Sequence, residues 1–450
     1  MDTIILVPGG GGSKLKLGNE EIWPPTIPEY VGGYFRTSKL VNAAVKATKI
    51  LDSIGCYGIY EPLQDDLNKI ANSCGSRRVD FAYDWRKDVM LTADQLALKI
   101  KSCIKNSASD TITLVCHSMG NLLARAILES GDYSSKPWFN NIKRYVGICG
   151  PHFGVPVILE YALGVKSWLG ISKIDMKNLS ADSRYPSCYQ CLPFEGVHDV
   201  LFDIQSGTPQ PKNFYNPAVA TAFGLSQPNL VAATNLHAKL KLSNRPVGVD
   251  YRLIAGSNHT THEGIEFDGS TFNPFTDPLG DSTIPLWSSK PPGIAPPTEV
   301  TPGDHVDVLK SYPFRQILYR LLACAGLEPA LTLLDLPGVT ISLNEFIYAP
   351  NEPIEVLIIP DLRTQEISGS LEIARVVGPE ARRFVRYQEQ PFVYRGPQIS
   401  FIRSTLTAPA DPGAYRVTFR GSHGTSPRTA GGFVVSNQEA MRQLERTRQK

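Results

Sequence analysis

The chain has 450 residues, of which 42% are apolar and 20% are charged, so it is long enough for two globular domains with cores of ordinary size. A formal net charge of +2 gives no basis for binding nucleic acid or a strongly anionic partner. No apolar run approaches the roughly 18–20 residues that a membrane-spanning helix needs.

The first predicted strand, Thr3–Val7, follows the initial methionine almost at once. A secretory signal peptide needs a basic start and an apolar stretch before a cleavage site, and this sequence leaves no room for one. We therefore expect a cytoplasmic protein as the sequence is written, or an exported one if a leader has been removed.

A run of glycines, Pro8–Ser13, follows that strand directly. Successive glycines let backbone N–H groups approach a negative oxygen without a Cβ in the way, which favours an oxyanion-binding loop. A phosphate-binding loop is the competing interpretation, but the Gly-Lys-Ser/Thr ending and the G-x-G-x-x-G spacing are both missing. The sequence therefore implies no nucleotide cofactor, and no other cofactor is indicated.

Up to about Leu327, short apolar strands alternate with helical stretches, a pattern typical of a mainly parallel sheet. Beyond the first strand, the predicted strands are Arg78–Tyr83, Thr111–Cys116, Tyr145–Cys149 and Asp250–Ala255, and the predicted helices include Leu91–Lys105, Asn121–Leu128 and Phe314–Ala325.

The segment Leu114–Asn121 joins one of these strands to a helix through the residues Ser118-Met119-Gly120. A strand, a sharp turn carrying a serine and a helix make up the nucleophile elbow of α/β-hydrolases. The motif usually has a glycine where this chain has Cys116, which is still small. The elbow predicts Ser118 as a nucleophile and the N–H of Met119 as an oxyanion donor.

Between Pro151 and about Val249 the strand rhythm gives way to aromatics, prolines and short helical pieces, which predicts a cap over the active site. Two aromatic segments, Ile22–Tyr30 and Ile158–Ile171, fit either a lid or lipid-facing surface, or buried cap core.

An acyl-transfer serine needs a histidine as base and a carboxylate to orient it, in the order Ser, acid, His. Only His305 and His423 come late enough, and His423 falls in the C-terminal β region, which leaves His305. Asp281 is preferred to Asp277 and Asp268 as the acid because it directly precedes an apolar segment. Taken singly, each residue also fits a surface-loop histidine or a turn-capping aspartate.

Two other groups of residues have metal-ligand character. His259 and His262, with Glu263 nearby, form H-x-x-H without a defined third ligand, and a loop surface is the preferred interpretation. Cys188 and Cys191 form C-x-x-C without a second pair, so no metal is expected. The eight cysteines do not resemble a disulfide framework, although export would allow a bridge between Cys56 and Cys74.

After Pro329 the chain changes to short alternating runs separated by turn residues, which indicates a β-sandwich of immunoglobulin type. Tyr415 is a candidate for a tyrosine corner, and the sandwich lacks an inter-sheet disulfide because the last cysteine is Cys324. The predicted strands are Val339–Leu343, Ile354–Ile359, Leu371–Val376, Phe392–Tyr394, Ile399–Ile402, Tyr415–Phe419 and Phe433–Val435.

These patterns predict an α/β-hydrolase domain over residues 1–328, with the cap at about 151–249. An all-β, immunoglobulin-like sandwich follows over residues 329–436, and a charged helical or frayed tail over 437–450.

Several segments together resemble the lecithin:cholesterol acyltransferase family, which includes lysosomal phospholipase A and bacterial lipase relatives. They occur in the family's order between about Ile4 and Leu322. They are the glycine loop Val7–Gly10, the signature Phe81–Arg86 with Tyr-Asp-Trp-Arg, the elbow Cys116–Gly120, the cap motif Tyr185–Pro193, the acid loop Gly280–Pro285 and the base loop Asp304–Val306.

The resemblance implies Ser118 as nucleophile, Asp281 as acid and His305 as base, with the N–H groups of Gly10 and Met119 as oxyanion donors. It also implies a lipid or long-chain acyl ester as substrate. The two aromatic segments are the candidates for peripheral contact with a membrane. Asp84 and Arg86 belong to the signature but flank no proposed reacting atom, so we expect a structural ion pair.

The favoured function is thus a serine-dependent lipid ester hydrolase of the lipase or phospholipase type, acting through an acyl-enzyme. The alternatives are an O-acyltransferase that moves the acyl chain to a lipid alcohol, a short-chain esterase, and a binding protein on an inactive hydrolase fold. The C-terminal sandwich could recruit a protein partner, bind carbohydrate or shield the hydrolase.

Overall fold

The computed structural model describes residues 2–55, 57–329, 338–377, 383–422, 427–429, 431–437 and 439–441. The predicted catalytic candidates lie within these ranges, whereas His423 and most of the predicted tail lie outside them. Cys56 also lies outside, so the proposed bridge to Cys74 falls beyond the described residues.

The helices, in chain order, are α1 (Ile27–Gly32), α2 (Thr37–Leu40), α3 (Glu61–Ser73), α4 (Val89–Cys103), α5 (Gly120–Glu129), α6 (Val157–Leu163), α7 (Lys173–Ala181), α8 (Ser187–Gln190), α9 (Pro217–Ala222), α10 (Gln227–Lys239), α11 (Leu286–Ser289) and α12 (Tyr312–Leu322).

The strands up to the cap are β1 (Asp2–Val7), β2 (Ser13–Leu17), β3 (Glu20–Trp23), β4 (Lys46–Ile50), β5 (Ser53–Ile54), β6 (Tyr57–Gly58), β7 (Arg77–Asp80), β8 (Thr111–His117) and β9 (Ile142–Ile148). Those that follow, up to the base loop, are β10 (Leu201–Asp203), β11 (Gln210–Pro211), β12 (Asp250–Ser257), β13 (His259–Phe267), β14 (Phe272–Gly280) and β15 (Glu299–Pro302).

The C-terminal strands are β16 (Val339–Leu343), β17 (Ile347–Tyr348), β18 (Pro353–Pro360), β19 (Thr364–Val377), β20 (Arg383–Ile399), β21 (Ile402–Thr407), β22 (Gly413–Gly421), β23 (Pro427–Thr429) and β24 (Gly431–Val435).

A parallel sheet in the order β15-β12-β9-β8-β1-β7 forms the centre of the first region. The predicted strands and helices of this region are confirmed, with ends shifted by a few residues. A parallel sheet with helices is the arrangement expected of an α/β-hydrolase, so the predicted fold class is confirmed.

The alternation of side chains along β1 explains why this strand is almost wholly apolar. Ile4 and Leu6 pack into a core with α3 and α12, whereas Ile5 and Val7 pack into a second core with α4 and α5. A strand covered by helices on both faces needs apolar residues at consecutive positions rather than at every second one.

Smaller sheets flank the central one. The strands β13 and β14 form a long antiparallel hairpin that extends, through β10 and β11, into the predicted cap segment. The strands β2, β3 and β4 form another sheet beside the glycine loop. Sequence patterns did not indicate these pairings, because their strands are short or rich in charged and polar residues.

The C-terminal region consists of two mostly antiparallel sheets, in the orders β21-β18-β16-β23 and β17-β24-β22-β19-β20. Both contribute side chains to one core, which includes Ile341 and Ile358 from the first sheet and Ile373 and Phe419 from the second. The predicted strand Ile399–Ile402 is wrong, because β20 ends and β21 begins there.

The Tyr415 hydroxyl donates a hydrogen bond of 2.8 Å to the Asp411 carbonyl, the contact expected of a tyrosine corner. The immunoglobulin-like topology itself stays a prediction.

Within the described part of the chain, no helix is both long enough and apolar enough to cross a bilayer.

Candidate active site

The glycine loop, Ser118 and His305 meet at the carboxyl edge of the central sheet. They follow β1, β8 and β15 respectively, and parallel strands bring their carboxyl ends to one edge. In open α/β sheets, ligands bind outside this edge. The sheet therefore collects three of the predicted groups from positions far apart in sequence.

Ser118 has the strained backbone of a nucleophile elbow, with φ of 53°. Its N–H donates to the Ile148 carbonyl at 3.0 Å, which anchors the turn to β9. A Cβ on Gly120 would lie 2.7 Å from the carbonyl oxygens of Val7 and Pro8. Glycine is therefore required at this position, because helix α5 begins in direct contact with the end of β1.

Asp281 and His305 form the hydrogen bond that an acid–base pair needs, with 2.9 Å between Asp281 Oδ2 and His305 Nδ1. The other carboxylate oxygen of Asp281 accepts the N–H groups of Thr283 and Ile284. Burial opposes ionisation of Asp281, but these bonds and the interaction with His305 outweigh it and lower the carboxyl pKa.

This bond fixes the orientation of the His305 imidazole. Asp281 is fully buried, and Nδ1 of His305 is its donor, so Nε2 is the nitrogen left for proton transfer. The rival candidates make other contacts. Asp268 caps a turn at Ser270 and Thr271, and Asp277 accepts the N–H of Leu279.

Ser118 and His305 lie on adjacent segments, but their side chains do not form a hydrogen bond with each other. The ring of His305 lies 4.7 Å from that of His117, the residue before Ser118. Catalytic hydrogen bonds often tighten only with substrate, so the lack of this bond between Ser118 and His305 is compatible with a triad.

Two backbone N–H groups beside Ser118 have no acceptor among the described residues, those of Gly10 and Met119. Gly10 is exposed, and Met119 directly precedes the first residue of α5. The partial positive charge of a helix N-terminus favours an anion at this place. By contrast, the N–H of Gly9 is occupied, since it donates to the Tyr60 hydroxyl at 2.7 Å.

Tyr60 and His117 form a buried link that sequence reasoning missed. The Tyr60 hydroxyl lies 2.7 Å from His117 Nδ1, and His117 Nε2 lies 2.8 Å from the His305 carbonyl oxygen. A neutral His117 that accepts at Nδ1 and donates at Nε2 satisfies both contacts. Burial, and the nearby His305, lower the pKa of His117 to about 3, which keeps it neutral.

One group with metal-ligand character occurs among the described residues, formed by His117, Cys149 and His305 with donor atoms within 4.8 Å of one another. It does not fit a metal. Both nitrogens of His117 are hydrogen-bonded already, and burial, with the nearby Asp281, raises the pKa of the Cys149 thiol. The interpretation of His259 as a loop-surface residue is wrong, because it is fully buried at the start of β13.

The aromatic residues Trp23 and Trp168 pack beside the glycine loop. Their rings stack at 5.0 Å, and Trp23 also lies 5.1 Å from Trp85. The Trp23 indole N–H donates to the Gly11 carbonyl at 2.7 Å, so this cluster supports the loop. Of the two interpretations of the segment Ile22–Tyr30, burial is confirmed for Trp23.

The expected ion pair between Asp84 and Arg86 is confirmed. Arg86 contacts both carboxylate oxygens of Asp84, at 2.8 and 2.7 Å, and its guanidinium lies 4.4 Å from the centre of the Tyr185 ring. Both partners are buried, and none of these contacts involves Ser118.

A family model described as lecithin:cholesterol acyltransferase matches residues 41–212, which confirms the resemblance over this part of the chain. No curated protein sequence matches. The matched segment includes the elbow with Ser118 but ends before Asp281 and His305. The match supports lipid ester hydrolysis or acyl transfer as the general activity.

Solved structures of low identity also align with the chain. The Tle4–Tli4 complex aligns at 14% identity over 68% of this chain and 92% of that chain, with a TM-score of 0.45. The mature form of Bacillus licheniformis lipase BlEst2 aligns at 13% identity over 71% and 91%, with a TM-score of 0.33. Phospholipase PlaB from Legionella pneumophila, in complex with thio-NAD, aligns at 12% identity over 97% and 89%, with a TM-score of 0.24.

Proposed function

We propose that the protein is a serine-dependent lipid ester hydrolase that works through an acyl-enzyme on Ser118. The observation that carries the proposal is the hydrogen-bonded pair of His305 and buried Asp281 at the sheet edge that presents Ser118 on a strained turn. Nucleophile, base and orienting acid are the three groups that acyl transfer from an ester requires.

In the proposed reaction, His305 Nε2 removes the proton from Ser118 as the serine oxygen attacks the ester carbonyl carbon. The carbonyl oxygen becomes an oxyanion, which the N–H groups of Gly10 and Met119 stabilise. The tetrahedral intermediate then breaks its bond to the alcohol, which leaves with the proton from His305. A water molecule, deprotonated by His305, cleaves the acyl-enzyme and restores Ser118.

Asp281 serves this cycle without exchanging a proton. Its ionised carboxylate holds Nδ1–H of His305 and stabilises the imidazolium that forms in each half-reaction. The lowered pKa of Asp281 means that the carboxylate is charged at neutral pH, as this role requires.

A lipid substrate follows from the family description rather than from the triad, which is indifferent to chain length. Hydrolysis of long-chain esters in emulsions or vesicles, where the enzyme contacts a lipid surface, should therefore exceed that of short soluble esters. Activity confined to acetyl or butyryl esters would contradict the lipid assignment and favour a short-chain esterase.

Acyl transfer to a lipid alcohol is the alternative that the family description favours. It uses the same acyl-enzyme and differs only in the group that resolves it. Addition of a long-chain alcohol to the reaction separates the two functions, since a transferase forms a new ester at the expense of free fatty acid.

The test compares wild type with Ser118→Ala on vesicles of mixed phospholipid and triglyceride, with products identified by mass spectrometry. Ser135→Ala, which alters an exposed serine, is the matched control. Wild type and control should release fatty acid, whereas Ser118→Ala should release none above background. Equal release by wild type and Ser118→Ala would overturn the proposal.

A further inference from the structure

A second carboxylate–imidazole–hydroxyl series lies beside the proposed active site and joins the two regions of the chain. His259 Nδ1 is 2.9 Å from Glu355 Oε1, and His259 Nε2 is 2.9 Å from Ser342 Oγ. The histidine comes from β13, whereas Glu355 and Ser342 come from the C-terminal strands β18 and β16. The order of groups is the same as in a hydrolase triad.

This series is not a second catalytic site. Ser342 is completely buried, and its oxygen accepts the backbone N–H of Asp304 at 2.9 Å. A substrate carbonyl therefore has no path to the hydroxyl. The three side chains lie where the hydrolase region meets the C-terminal strands, which indicates a structural role.

The hydrogen bonds of the series form one consistent assignment. Ser342 accepts from Asp304 N–H, which leaves its own hydrogen for His259 Nε2, and His259 Nδ1–H then donates to Glu355. The carboxylate of Glu355 also accepts the N–H and the hydroxyl of Thr260. Burial opposes ionisation of Glu355, but the bonds from His259 and Thr260 outweigh it and lower its pKa to about 2.

The series reaches both loops of the proposed acid–base pair. Asp304, bound by Ser342, is the residue before His305. Glu355 and Ser342 hold the His259 imidazole, and the backbone of His259 forms a β-bridge with Asp281. A second hydrogen bond joins β16 to the segment after His305, because the N–H of Leu343 donates to the Asp307 carboxylate at 3.2 Å.

We propose that the C-terminal region positions the acid–base pair through Ser342, which links the His305 loop to His259 and so to Asp281. This inference rests on the proposed function, because it assigns Ser342, His259 and Glu355 as positioning residues for that reaction. It gives the C-terminal region an internal role that is separate from recruiting a partner, binding carbohydrate or shielding the hydrolase.

Ser342→Ala tests the link in the full chain. The change leaves the Asp304 N–H and His259 Nε2 without a partner, so the His305 loop should lose its fixed position. Small displacements of a catalytic group cost rate rather than binding, so kcat on a long-chain ester should fall about 10- to 100-fold while KM changes less than about 2-fold.

Thr340→Val is the matched control. Thr340 lies two residues before Ser342 on β16 and is equally buried, but its hydroxyl has no hydrogen-bond partner among the described residues. The control should keep the kcat and KM of wild type. Glu355→Gln keeps the side-chain size and should also lower kcat. It serves as the test variant if Ser342→Ala does not fold.

Amide hydrogen exchange provides a readout that does not depend on activity. Ser342→Ala should accelerate exchange in residues 299–310 relative to wild type and Thr340→Val. A folded Ser342→Ala protein with wild-type kcat, or with a changed KM alone, would overturn the positioning role, as would an equal loss of kcat in Thr340→Val.

The two proposals fail in different ways. Absence of Ser118-dependent hydrolysis in the wild type would overturn the proposed function. In that case the positioning role in catalysis falls with it, and exchange tests the structural link alone. The link stands if Ser342→Ala, but not Thr340→Val, accelerates exchange in residues 299–310, and it falls if the segment exchanges as in wild type.

Discussion

His305 holds one ring nitrogen toward Asp281 and presents the other to the site, and hydrogen bonds anchor the backbone on which the other proposed groups lie. Ser118 is held by the Ile148 carbonyl, and the loop of Gly9 is held by Tyr60. The chemistry at single residues therefore depends on hydrogen bonds that set tautomer and orientation, and these bonds can be removed one at a time.

Asp281→Asn should keep the fold and lower kcat by about 10⁴-fold. An amide holds the imidazole in the wrong tautomer and does not stabilise the imidazolium, which is the known effect of this change in a Ser-His-Asp triad. The measurement is kcat on a soluble ester. Asp277→Asn, on a half-buried aspartate of the preceding strand β14, should behave as wild type, and equal rates in both variants would contradict the assigned acid.

Tyr60→Phe should lower the free energy of unfolding by about 1–3 kcal/mol, because it leaves the Gly9 N–H and His117 Nδ1 buried without partners. Denaturant unfolding measures the change. Tyr394→Phe removes a hydroxyl that makes only an exposed bond to the Pro397 carbonyl, and it should stay within about 0.5 kcal/mol of wild type. Similar unfolding free energies for the two variants would show that the hydrogen bonds of Tyr60 to Gly9 and His117 do not stabilise the fold.

At the scale of elements, the site depends on the contact between the end of β1 and the start of α5. This close contact places the glycine loop, the elbow and the helix N-terminus around one point. It requires a residue without a side chain at Gly120, where backbone carbonyls occupy the space of a Cβ.

Gly120→Ala should therefore destabilise the protein and reduce esterase activity together, since the helix and the loop must separate to admit the methyl group. Gly32→Ala, at the end of α1, meets no atom within 4 Å and should be neutral or slightly stabilising. Thermal unfolding and esterase rate, measured on both variants, check the comparison. Wild-type behaviour of Gly120→Ala would show that the contact is not required.

At the scale of the whole molecule, buried neutral histidines couple folding to pH. Burial lowers the pKa of His117 to about 3 and that of His237 to about 4, against an ordinary value of 6.5. At pH values between these lowered pKa values and 6.5, the two histidines are protonated in the unfolded chain but not in the folded protein. The contribution of these two histidines to stability is therefore fully present above about pH 6.5 and is lost progressively as the pH falls toward 3.

The slope of unfolding free energy against pH tests this coupling. Between about pH 6 and 4.5, His117→Asn should have a shallower slope than wild type, by up to about 1.4 kcal/mol per pH unit, the value for one proton. Ser135→Ala, which alters an exposed residue without a titratable group, is the control and should keep the wild-type slope. A wild-type slope in His117→Asn would show that His117 does not contribute.

The sequence was sufficient for features that are local or ordered along the chain. The elbow around Ser118, the glycine loop and the acid and base loops each lie within a few consecutive residues, so motif and order can predict them. Their catalytic roles stay predictions. The division into domains at 1–328, 329–436 and 437–450 stays a prediction.

Features that depend on distant residues were not predictable. His259 meets Ser342 across 83 positions, and Tyr60 meets His117 across 57. Neither pair has a local pattern, and H-x-x-H at His259 indicated a surface residue instead. The charged strands beside the glycine loop were missed for a similar reason, since their pairing rather than their composition makes them a sheet.

The most direct test of the central claim is to locate the covalent adduct of a fluorophosphonate probe by mass spectrometry of peptides. We expect one adduct, on the peptide that contains Ser118. It should be absent in Ser118→Ala and should form far more slowly in His305→Gln, because the serine then lacks its base. An adduct on another residue, or labelling that is unchanged in Ser118→Ala, would contradict the assignment of Ser118 as the nucleophile.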